Sequence, residues 1–401
     1  MTDSNVSNTA LDNANSQLGD SPLDIVVLFS LGVSMSLWQK TGLAAREKAY
    51  YDRIIEKGHA ISFLTYGKDD AQYEAFWQPM KILPWLGKLT HFVKYACVAP
   101  FHHKRSFQAA NIVKSNQSQG ALVGALARLI NPKLRFVLRC GWVRTKEVIR
   151  DEENRTGLRY YRAVFFEWLG FKLANAIIVV TESDADYLIQ HYSANKKKIH
   201  VIPNSIDTDN YRYEAPKIYQ KVSQQTSIKL LMVGRLVEAK NFHKVFAALS
   251  QLEQPFDITV VGDGDYRHEL EKCAKSFHLA VQFEGSVAND QLARYYADND
   301  IVLMPEAWGS GMPKVVLEAM ASGALIIASN IRSVRQLLRS GENGFICEPT
   351  TASILDNLQH VLAMKDSDIQ AITAKAREDI EKHYSMDSAV EKELRLYQSL
   401  L

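Results

Sequence analysis

The chain has 401 residues, 47% of them hydrophobic, and a formal net charge of +2. This length and composition predict a globular protein of two domains and exclude a chain too polar to build a core. The small net charge hides an asymmetry. Residues 23–205 carry 26 Lys and Arg against 15 Asp and Glu, and residues 206–401 carry 21 against 27. The two halves are therefore expected to meet different partners.

The four cysteines do not form a recognisable site. They are scattered, without a CxxC pair or a histidine at metal-ligand spacing: Cys97, Cys140, Cys273 and Cys347. This argues against a disulfide framework or a structural zinc site and indicates a reducing compartment. No window reaches the roughly 18 apolar residues of a spanning helix. Residues 1–22 are polar and acidic and predict a disordered leader rather than a signal peptide, so we expect a cytoplasmic protein.

A first domain is predicted over residues 23–205. It opens with an apolar strand, LDIVVLFSLG, that runs into Gly32, and residues 44–55 have the periodicity of a helix. Further strands are predicted at 60–65, 112–117, 136–142 and 176–183. Strands that alternate with helices in this way are typical of a doubly wound α/β domain.

A long part of this domain is basic. No acidic residue occurs between Glu74 and Glu147, and residues 81–105 interleave cations with Trp85 and Tyr95. This pattern predicts an interfacial helix on anionic lipid or a site for an anionic acceptor. A solvated face without a ligand and a nucleic-acid surface are the alternatives, although no nucleic-acid recognition motif accompanies the charges. The candidate residues are Lys81, Lys88, Lys94, Lys104, Arg105 and Arg139.

A second domain is predicted over residues 206–385. A strand near its start is followed by a basic loop with Arg235 and Lys240, and the strand of residues 256–264 ends in Gly262 and Gly264. The chain has no Walker loop, complete GxGxxG, GxSxG or HExxH motif. This argues against a P-loop enzyme and a dinucleotide-dependent dehydrogenase.

Residues 301–329 predict a strand–loop–helix–strand unit at the place where α/β proteins bind ligands. Gly311 lies in the loop, Pro313 starts a helix over residues 314–321, and Gly323 ends it. Glu318 is the one carboxylate on this otherwise apolar helix. Arg and Lys suit a diphosphate and a carboxylate suits ribose hydroxyls, so this domain is predicted to bind a nucleotide diphosphate.

Several ordered motifs resemble those of family 4 glycosyltransferases. VGRLVEAKN, VVGDGD, FEGSV, YADNDIVLMP and GMPKVVLEAMASG follow the donor-domain pattern of that family, and IPNSIDTDNY resembles its interdomain segment. The resemblance implies a GT-B architecture, with two Rossmann-like domains facing each other across a cleft. It also implies a C-terminal helix, residues 386–401, that crosses back to the first domain.

The resemblance further implies transfer of a sugar from a nucleotide-diphospho-sugar with retention of configuration, without a metal or another cofactor. Arg235 and Lys240 would then hold the diphosphate, and Glu318 the ribose hydroxyls. The remaining donor contacts would come from Ser310, Gly311, Met312, Pro313, Gly262, Gly264 and Gly32.

Two positions depart from the family pattern. The family has paired glutamates, and Ser310 stands where the first is expected, eight residues before Glu318. Serine can exchange a hydrogen bond but cannot be anionic. Glu306 lies four residues earlier. In the first domain, many relatives have a histidine after the strand equivalent to FVLRC, where this chain has Arg139, Cys140, Gly141 and Trp142, so no acceptor-side catalytic residue is assigned.

The resulting hypothesis is a cytoplasmic, hexosyltransferase-like enzyme at the inner face of the cytoplasmic membrane. It would act on a lipid-linked or polysaccharide acceptor, as in lipopolysaccharide and other cell-surface glycan synthesis, and would not bind nucleic acid. Two alternatives stay open: a sugar-nucleotide-binding protein with impaired catalysis, and a GT-B nucleotide-sugar epimerase.

Overall fold

Two parallel β-sheets, one in each half of the chain, organise the computed structural model of this protein. The structure describes residues 21–85, 92–146, 148, 157–289, 291–307 and 311–401. The first sheet has seven strands in the order β3-β2-β1-β4-β5-β6-β7, and the second has six in the order β10-β9-β8-β11-β12-β13. In each sheet the strand order runs outward in both directions from the strand that comes first in the chain, β1 in one sheet and β8 in the other. The predicted α/β class with two doubly wound domains is therefore confirmed.

The strands are short, and every pairing within the two sheets is parallel. The first sheet contains β1 (Asp24–Leu28), β2 (Ala60–Leu64), β3 (Lys81–Leu83), β4 (Ile112–Ser115), β5 (Arg135–Cys140), β6 (Ala176–Val179) and β7 (Ile199–Val201). The second contains β8 (Ile228–Val233), β9 (Phe256–Val261), β10 (Val281–Gly285), β11 (Ile301–Met304), β12 (Leu325–Ser329) and β13 (Phe345–Cys347).

Helices connect the strands and cover the sheets. In the described part of the first half they are α1 (Met35–Lys40), α2 (Leu43–Glu56), α3 (Glu74–Trp77), α4 (Phe92–His102), α5 (Lys104–Ala109), α6 (Ala121–Ile130), α7 (Leu158–Leu173) and α8 (Glu182–Tyr192). The second half contains α9 (Ile218–Ser223), α10 (Phe242–Leu249), α11 (Arg267–Ser276), α12 (Leu292–Ala297), α13 (Lys314–Ser322), α14 (Thr351–Leu362), α15 (Asp366–Asp379) and α16 (Met386–Ser399).

The central strand β11 is apolar along its whole length, as expected where helices cover both faces of a parallel sheet. All four residues of β11 and all five of β12 are buried. Between them, α13 ends at Gly323, whose φ of +88° is the left-handed conformation of a helix C-cap. The predicted unit of residues 301–329 is thus present where the structure describes it.

The segment 81–105 is not the single interfacial helix that its pattern predicted. Lys81–Leu83 is the edge strand β3, and two helices, α4 and α5, follow later. Trp85 and Tyr95 stack on one another, with ring centroids 4.5 Å apart, and both are buried. These two aromatic residues therefore belong to the core of the first domain, whereas Phe101 and the described cations of the segment are exposed.

The last helix of the chain packs on the first domain. Five of its side chains join the hydrophobic core built on β1–β7: Ala389, Val390, Leu394, Leu396 and Tyr397. The two segments that pass between the domains hydrogen-bond to each other. The Ile206 N–H donates to the Tyr384 carbonyl at 2.9 Å, and the Met386 N–H donates to the Ile206 carbonyl at 3.0 Å.

Candidate functional site

The carboxyl ends of both sheets face a cleft between the domains, and two adjoining cavities lie in it. The larger, of about 380 Å³, is bounded by loops after β1, β4 and β5 of the first domain and by the start of α13. The smaller, of about 160 Å³, lies between Tyr211, Asn289 and Glu318. Arg46 and Lys314 line both cavities, so a ligand that spans the cleft would meet these two cations.

Lys314 is the first residue of α13 and has no carboxylate within 4.0 Å among the described residues. Burial, followed by the nearby charge of Arg46, lowers the pKa of Lys314 to about 8. Arg46 itself pairs with Glu47, at 2.5 Å from Nη2 to Oε1. Among the described residues Lys314 is thus a cation without an ion pair at the start of a helix, which suits an anionic group of a ligand.

Glu318 follows one turn later on α13 and is buried. Its Oε2 accepts a hydrogen bond from the Tyr296 hydroxyl at 2.6 Å. Burial raises the pKa of the Glu318 carboxyl, although this hydrogen bond opposes the change. Tyr296 holds one oxygen and the carboxylate borders the smaller cavity, so this group can accept hydrogen bonds from ligand hydroxyls.

Arg235 and Lys240 both follow β8, but their surroundings differ. Lys240 forms an ion pair with Glu306, a residue of the loop after β11. Arg235 is exposed and has no carboxylate within 4.0 Å in the described part of the chain. Glu306 therefore reaches one of the two residues assigned to the diphosphate, a contact that the sequence alone did not establish.

The predicted glycines serve different purposes. At Gly262 a Cβ atom would lie 1.9 Å from the Gly234 carbonyl oxygen, so this glycine lets the loops after β8 and β9 approach closely. Gly264 lies two residues further along the same loop. Gly32 has a φ of +82° and open space where a Cβ would point. Ser30, two residues earlier, lines the larger cavity.

The loop before α13 crosses the cleft to the first domain. The Asn204 side-chain amide donates to the Met312 carbonyl at 3.4 Å, and a Cβ on Gly311 would lie 3.4 Å from the Gly141 carbonyl. Pro313 is the N-cap residue of α13. The predicted Ser310 lies outside the described residues.

A buried polar cluster forms the floor of the larger cavity. The Glu393 carboxylate, on α16, lies 2.5 Å from the Lys114 ammonium and 3.8 Å from Arg139, and it accepts a hydrogen bond from the Tyr50 hydroxyl at 2.7 Å. The Tyr397 hydroxyl donates to its other oxygen. Burial alone would raise the pKa of Glu393, but the charges of Lys114 and Arg139 outweigh it and lower that pKa.

The basic residues predicted as acceptor or membrane contacts separate into two groups. Arg139 lines the larger cavity. Lys81, Lys94, Lys104 and Arg105 are exposed and line neither cavity, and Lys88 lies outside the described residues. The five described candidates therefore do not form one site.

Several residues of the site were not assigned from the sequence, notably Lys314, Arg46, Tyr296 and Glu393. Lys314 carried a signal, because it lies four residues before Glu318 and a helix brings such pairs to one face. The other three come from distant segments and had no local signal. Across the described residues, no group of three or more His, Cys, Asp or Glu side chains could hold a metal. No helix in that part of the chain is long and apolar enough to cross a membrane.

Two family profiles match consecutive parts of the chain. The profile of glycosyl transferases group 1 matches residues 216–379, and that of glycosyltransferase family 4 matches residues 50–210. Together the two matches include most of both domains, in the order expected from the sequence motifs.

Curated relatives and solved structures agree with this assignment. An uncharacterized glycosyltransferase of Methanocaldococcus jannaschii is 22% identical over 89% of this chain and 94% of its own length. An uncharacterized glycosyltransferase of Haemophilus influenzae is 28% identical over 49% of this chain. The match spans about half (53%) of the length of that relative. The amylovoran biosynthesis glycosyltransferase AmsD of Erwinia amylovora is 26% identical over 37% of this chain and 41% of its own length. The Anabaena protein HepE, solved with UDP and glucose, aligns with a TM-score of 0.70 at 18% identity, over 94% of this chain and 99% of that one. The fold is therefore GT-B, as predicted.

Proposed function

Because the chain belongs to glycosyltransferase family 4, we propose that it transfers a sugar from a nucleotide-diphospho-sugar to a lipid-linked or polysaccharide acceptor. The transfer retains the anomeric configuration of the sugar and needs no metal or other cofactor. The enzyme is of the hexosyltransferase type and acts in cell-surface glycan synthesis. The role in glycan synthesis is supported by the relative from Erwinia amylovora, a glycosyltransferase of amylovoran biosynthesis.

The observation that carries this proposal is the arrangement of Lys314 and Glu318 along one face of α13. The Glu318 carboxylate borders the smaller cavity and can accept hydrogen bonds from the ribose hydroxyls. Lys314, one turn nearer the start of the helix, lines both cavities. A nucleotide bound with its ribose at Glu318 would direct its diphosphate towards this cation and the helix N-terminus.

Arg235 and Lys240 are proposed to stabilise the nucleotide diphosphate as it leaves. Breaking the bond to the sugar places additional negative charge on the diphosphate, and fixed cations lower the free energy of that state more than that of the bound donor. Arg235 is free to make a forked contact with phosphate oxygens. Lys240 would exchange its ion pair with Glu306 for a contact with the diphosphate.

The proposed acceptor occupies the larger cavity. Arg46, Arg139 and Lys314 line it together with Trp38 and Trp142, and Trp142 is 43% exposed. Cations suit the diphosphate of a lipid-linked acceptor, and exposed aromatic rings suit the apolar face of a sugar. A lipid-linked acceptor also requires the enzyme to work at a membrane surface, and we propose the inner face of the cytoplasmic membrane.

A donor panel tests the proposal directly. UDP-, GDP- and ADP-sugars are incubated with wild type, and release of the nucleotide diphosphate is measured with and without a lipid-linked acceptor extract. For the active donor, Arg235→Ala and Lys240→Ala should each lower kcat/KM by at least about 100-fold. Lys272→Ala, an exposed lysine on α11, is the matched control. Full activity in both test variants would refute the assignment of the two cations.

Ser310 favours a second candidate, a protein that binds the nucleotide-sugar but has impaired catalysis. This candidate predicts that wild type binds a donor without transferring its sugar, and that Ser310→Glu gains transfer. An active wild type would exclude it, and so would an inactive Ser310→Glu variant that still binds the donor.

A further inference from the structure

One helix of the first domain exposes a row of large apolar side chains. Leu158, Tyr161, Phe165 and Trp168 of α7 are 76%, 56%, 53% and 45% exposed. Their spacing of three, four and three residues places them in one row along the helix. We call this row the α7 stripe. Scattered exposed apolar residues are ordinary, but a continuous row along a helix indicates an interaction site.

The opposite face of α7 is firmly seated on the sheet. Ala163 and Phe171 are buried, and a Cβ atom on Gly170 would lie 3.1 Å from the Leu138 side chain of β5. The helix cannot turn its apolar row inward, because the inward positions are already filled. The α7 stripe is therefore a stable surface feature of the folded domain.

The exposed charges of α7 whose side chains the structure describes are positive. Arg162 and Lys172 are exposed on the same helix, and the Lys172 ammonium lies 5.0 Å from the centre of the Trp168 ring. The only acid of the helix, Glu167, is fully buried. Its carboxylate accepts hydrogen bonds from the Arg144 N–H at 2.6 Å, from Thr145 Oγ1 at 2.8 Å and from the Tyr192 hydroxyl at 2.6 Å.

A neighbouring helix extends this surface. The α6 residue Leu129 is 72% exposed, and the guanidinium of Arg128 beside it donates to the Leu173 carbonyl at the end of α7. The face thus combines aliphatic and aromatic side chains with cations, and its described residues include no exposed acid on α6 or α7.

From this composition we propose that the α7 stripe docks the enzyme on an anionic lipid bilayer. Apolar and aromatic side chains enter the boundary between headgroups and acyl chains, while Arg162 and Lys172 contact the lipid phosphates. A second copy of the chain fits less well, because two such faces would bring like charges together. The inference rests on the proposed membrane location of the acceptor and identifies the surface that provides it.

The position of α7 gives this docking a consequence for the acceptor. The helix connects β5 to β6, so its first turn lies at the edge of the sheet that borders the cleft. Glu167 ties α7 to the loop that follows β5, and Trp142 of that loop lines the larger cavity. A bilayer in contact with the α7 stripe would therefore lie beside the mouth of that cavity, where the headgroup of a lipid-linked acceptor could enter.

Vesicle sedimentation with the full chain tests the inference. Wild type should sediment with vesicles of phosphatidylcholine and phosphatidylglycerol, and much less with phosphatidylcholine alone. Phe165→Ser/Trp168→Ser should weaken binding to the anionic vesicles by at least about tenfold. Arg162→Glu/Lys172→Glu should weaken it by a similar factor and remove the preference for anionic lipid.

Two controls accompany these variants. Tyr219→Ser changes an aromatic residue of the second domain that is 49% exposed, and it should bind vesicles as wild type does. UDP affinity and circular dichroism report whether the α7 variants remain folded, because the α7 stripe lines neither cavity.

The other outcomes overturn the inference in distinguishable ways. In one outcome, wild type and the α7 variants bind anionic vesicles equally, and the triple variant Lys94→Glu/Lys104→Glu/Arg105→Glu does not bind them. The enzyme then docks through the surface of these three cations, and the proposed membrane location stands. If wild type binds no vesicle, the membrane location fails as well, whatever the donor panel shows. If wild type is a dimer that the α7 variants dissociate, and binds no lipid, the face is a contact between copies.

Discussion

The carboxylate of Glu393 lies 2.5 Å from the ammonium of Lys114, and both side chains are almost completely buried. One residue belongs to the last helix of the chain and the other to a central strand of the first sheet. The pair joins α16 to the floor of the larger cavity, so its loss should affect both stability and the site.

Replacing Glu393 by glutamine should strongly destabilise the protein. Lys114 would lose the buried carboxylate that favours its charged form, while burial opposes that charge, and breaking such a pair costs about 3–5 kcal/mol. Urea unfolding measures the change. Glu391→Gln is the matched control, because that residue is on the same helix, is exposed and pairs only with Arg395 among the described residues. Its effect should stay within about 0.5 kcal/mol. Equal effects of the two substitutions would contradict the role assigned to Glu393.

Binding of UDP should weaken as the pH rises through about 8, the pKa of Lys314. Lys314 is charged below this pH and neutral above it, whereas the diphosphate stays ionised, so the attraction falls with rising pH. A decrease in affinity of about tenfold is expected for the loss of one cation at this site. Calorimetric titrations at several pH values measure it.

The Lys314→Arg variant provides the control, because arginine keeps its charge throughout this range. It should bind UDP with little dependence on pH. The same pH profile in wild type and in this variant would show that another group titrates.

Glu318→Gln should reduce the affinity for UDP by about 10- to 100-fold, since a charged hydrogen-bond acceptor for the ribose is lost. The variant should also distinguish UDP from 2′-deoxy-UDP less well than wild type. Calorimetry with both nucleotides measures the two effects, and Glu269→Gln, an exposed acid on α11, is the control. A Glu318→Gln variant that loses affinity for both nucleotides by the same factor would argue against contact with the 2′-hydroxyl.

The Glu306→Gln variant should have the opposite change in affinity and should bind UDP about three- to tenfold more tightly than wild type. In the structure Lys240 is paired with Glu306, and the diphosphate has to compete with that carboxylate. Glutamine can hold the lysine by a hydrogen bond but does not neutralise it.

Lys240→Met should weaken UDP binding, and the double variant should bind no more tightly than Lys240→Met alone. This non-additivity is the signature of a coupled pair. Tighter binding in the double variant than in Lys240→Met would mean that Glu306 repels the diphosphate directly.

The sequence was sufficient for the parts of the fold that rest on local pattern. Strands β1 and β11 are apolar runs because helices cover both faces of the sheets, and α13 lies between a proline and a glycine. The strand β13 was missed, since it has three residues and lies at an edge of its sheet. Residues 81–105 form a strand and two helices rather than one interfacial helix, and the pattern of the sequence did not reveal that Trp85 and Tyr95 face the core.

The candidate site was less predictable, because it forms only when the two domains meet. Lys314 and Arg46 lie in different domains, and their mutual repulsion, which contributes to the lowered pKa of Lys314, has no trace in local sequence. Glu393 is a similar case, because its partners Lys114 and Arg139 come from distant parts of the chain. The α7 stripe illustrates the converse difficulty: its spacing is that of an ordinary core-facing row, and only the structure shows that its side chains are exposed.

The return of α16 to the first domain has a consequence for how the protein can be divided. Val390 and Tyr397 complete the core of a domain whose other strands and helices end before the second domain begins. A gene fragment that stops after β7 would therefore encode a first domain with an open core and a Lys114 that lacks its buried carboxylate. Such a fragment should recover its fold only when the α16 peptide is supplied separately.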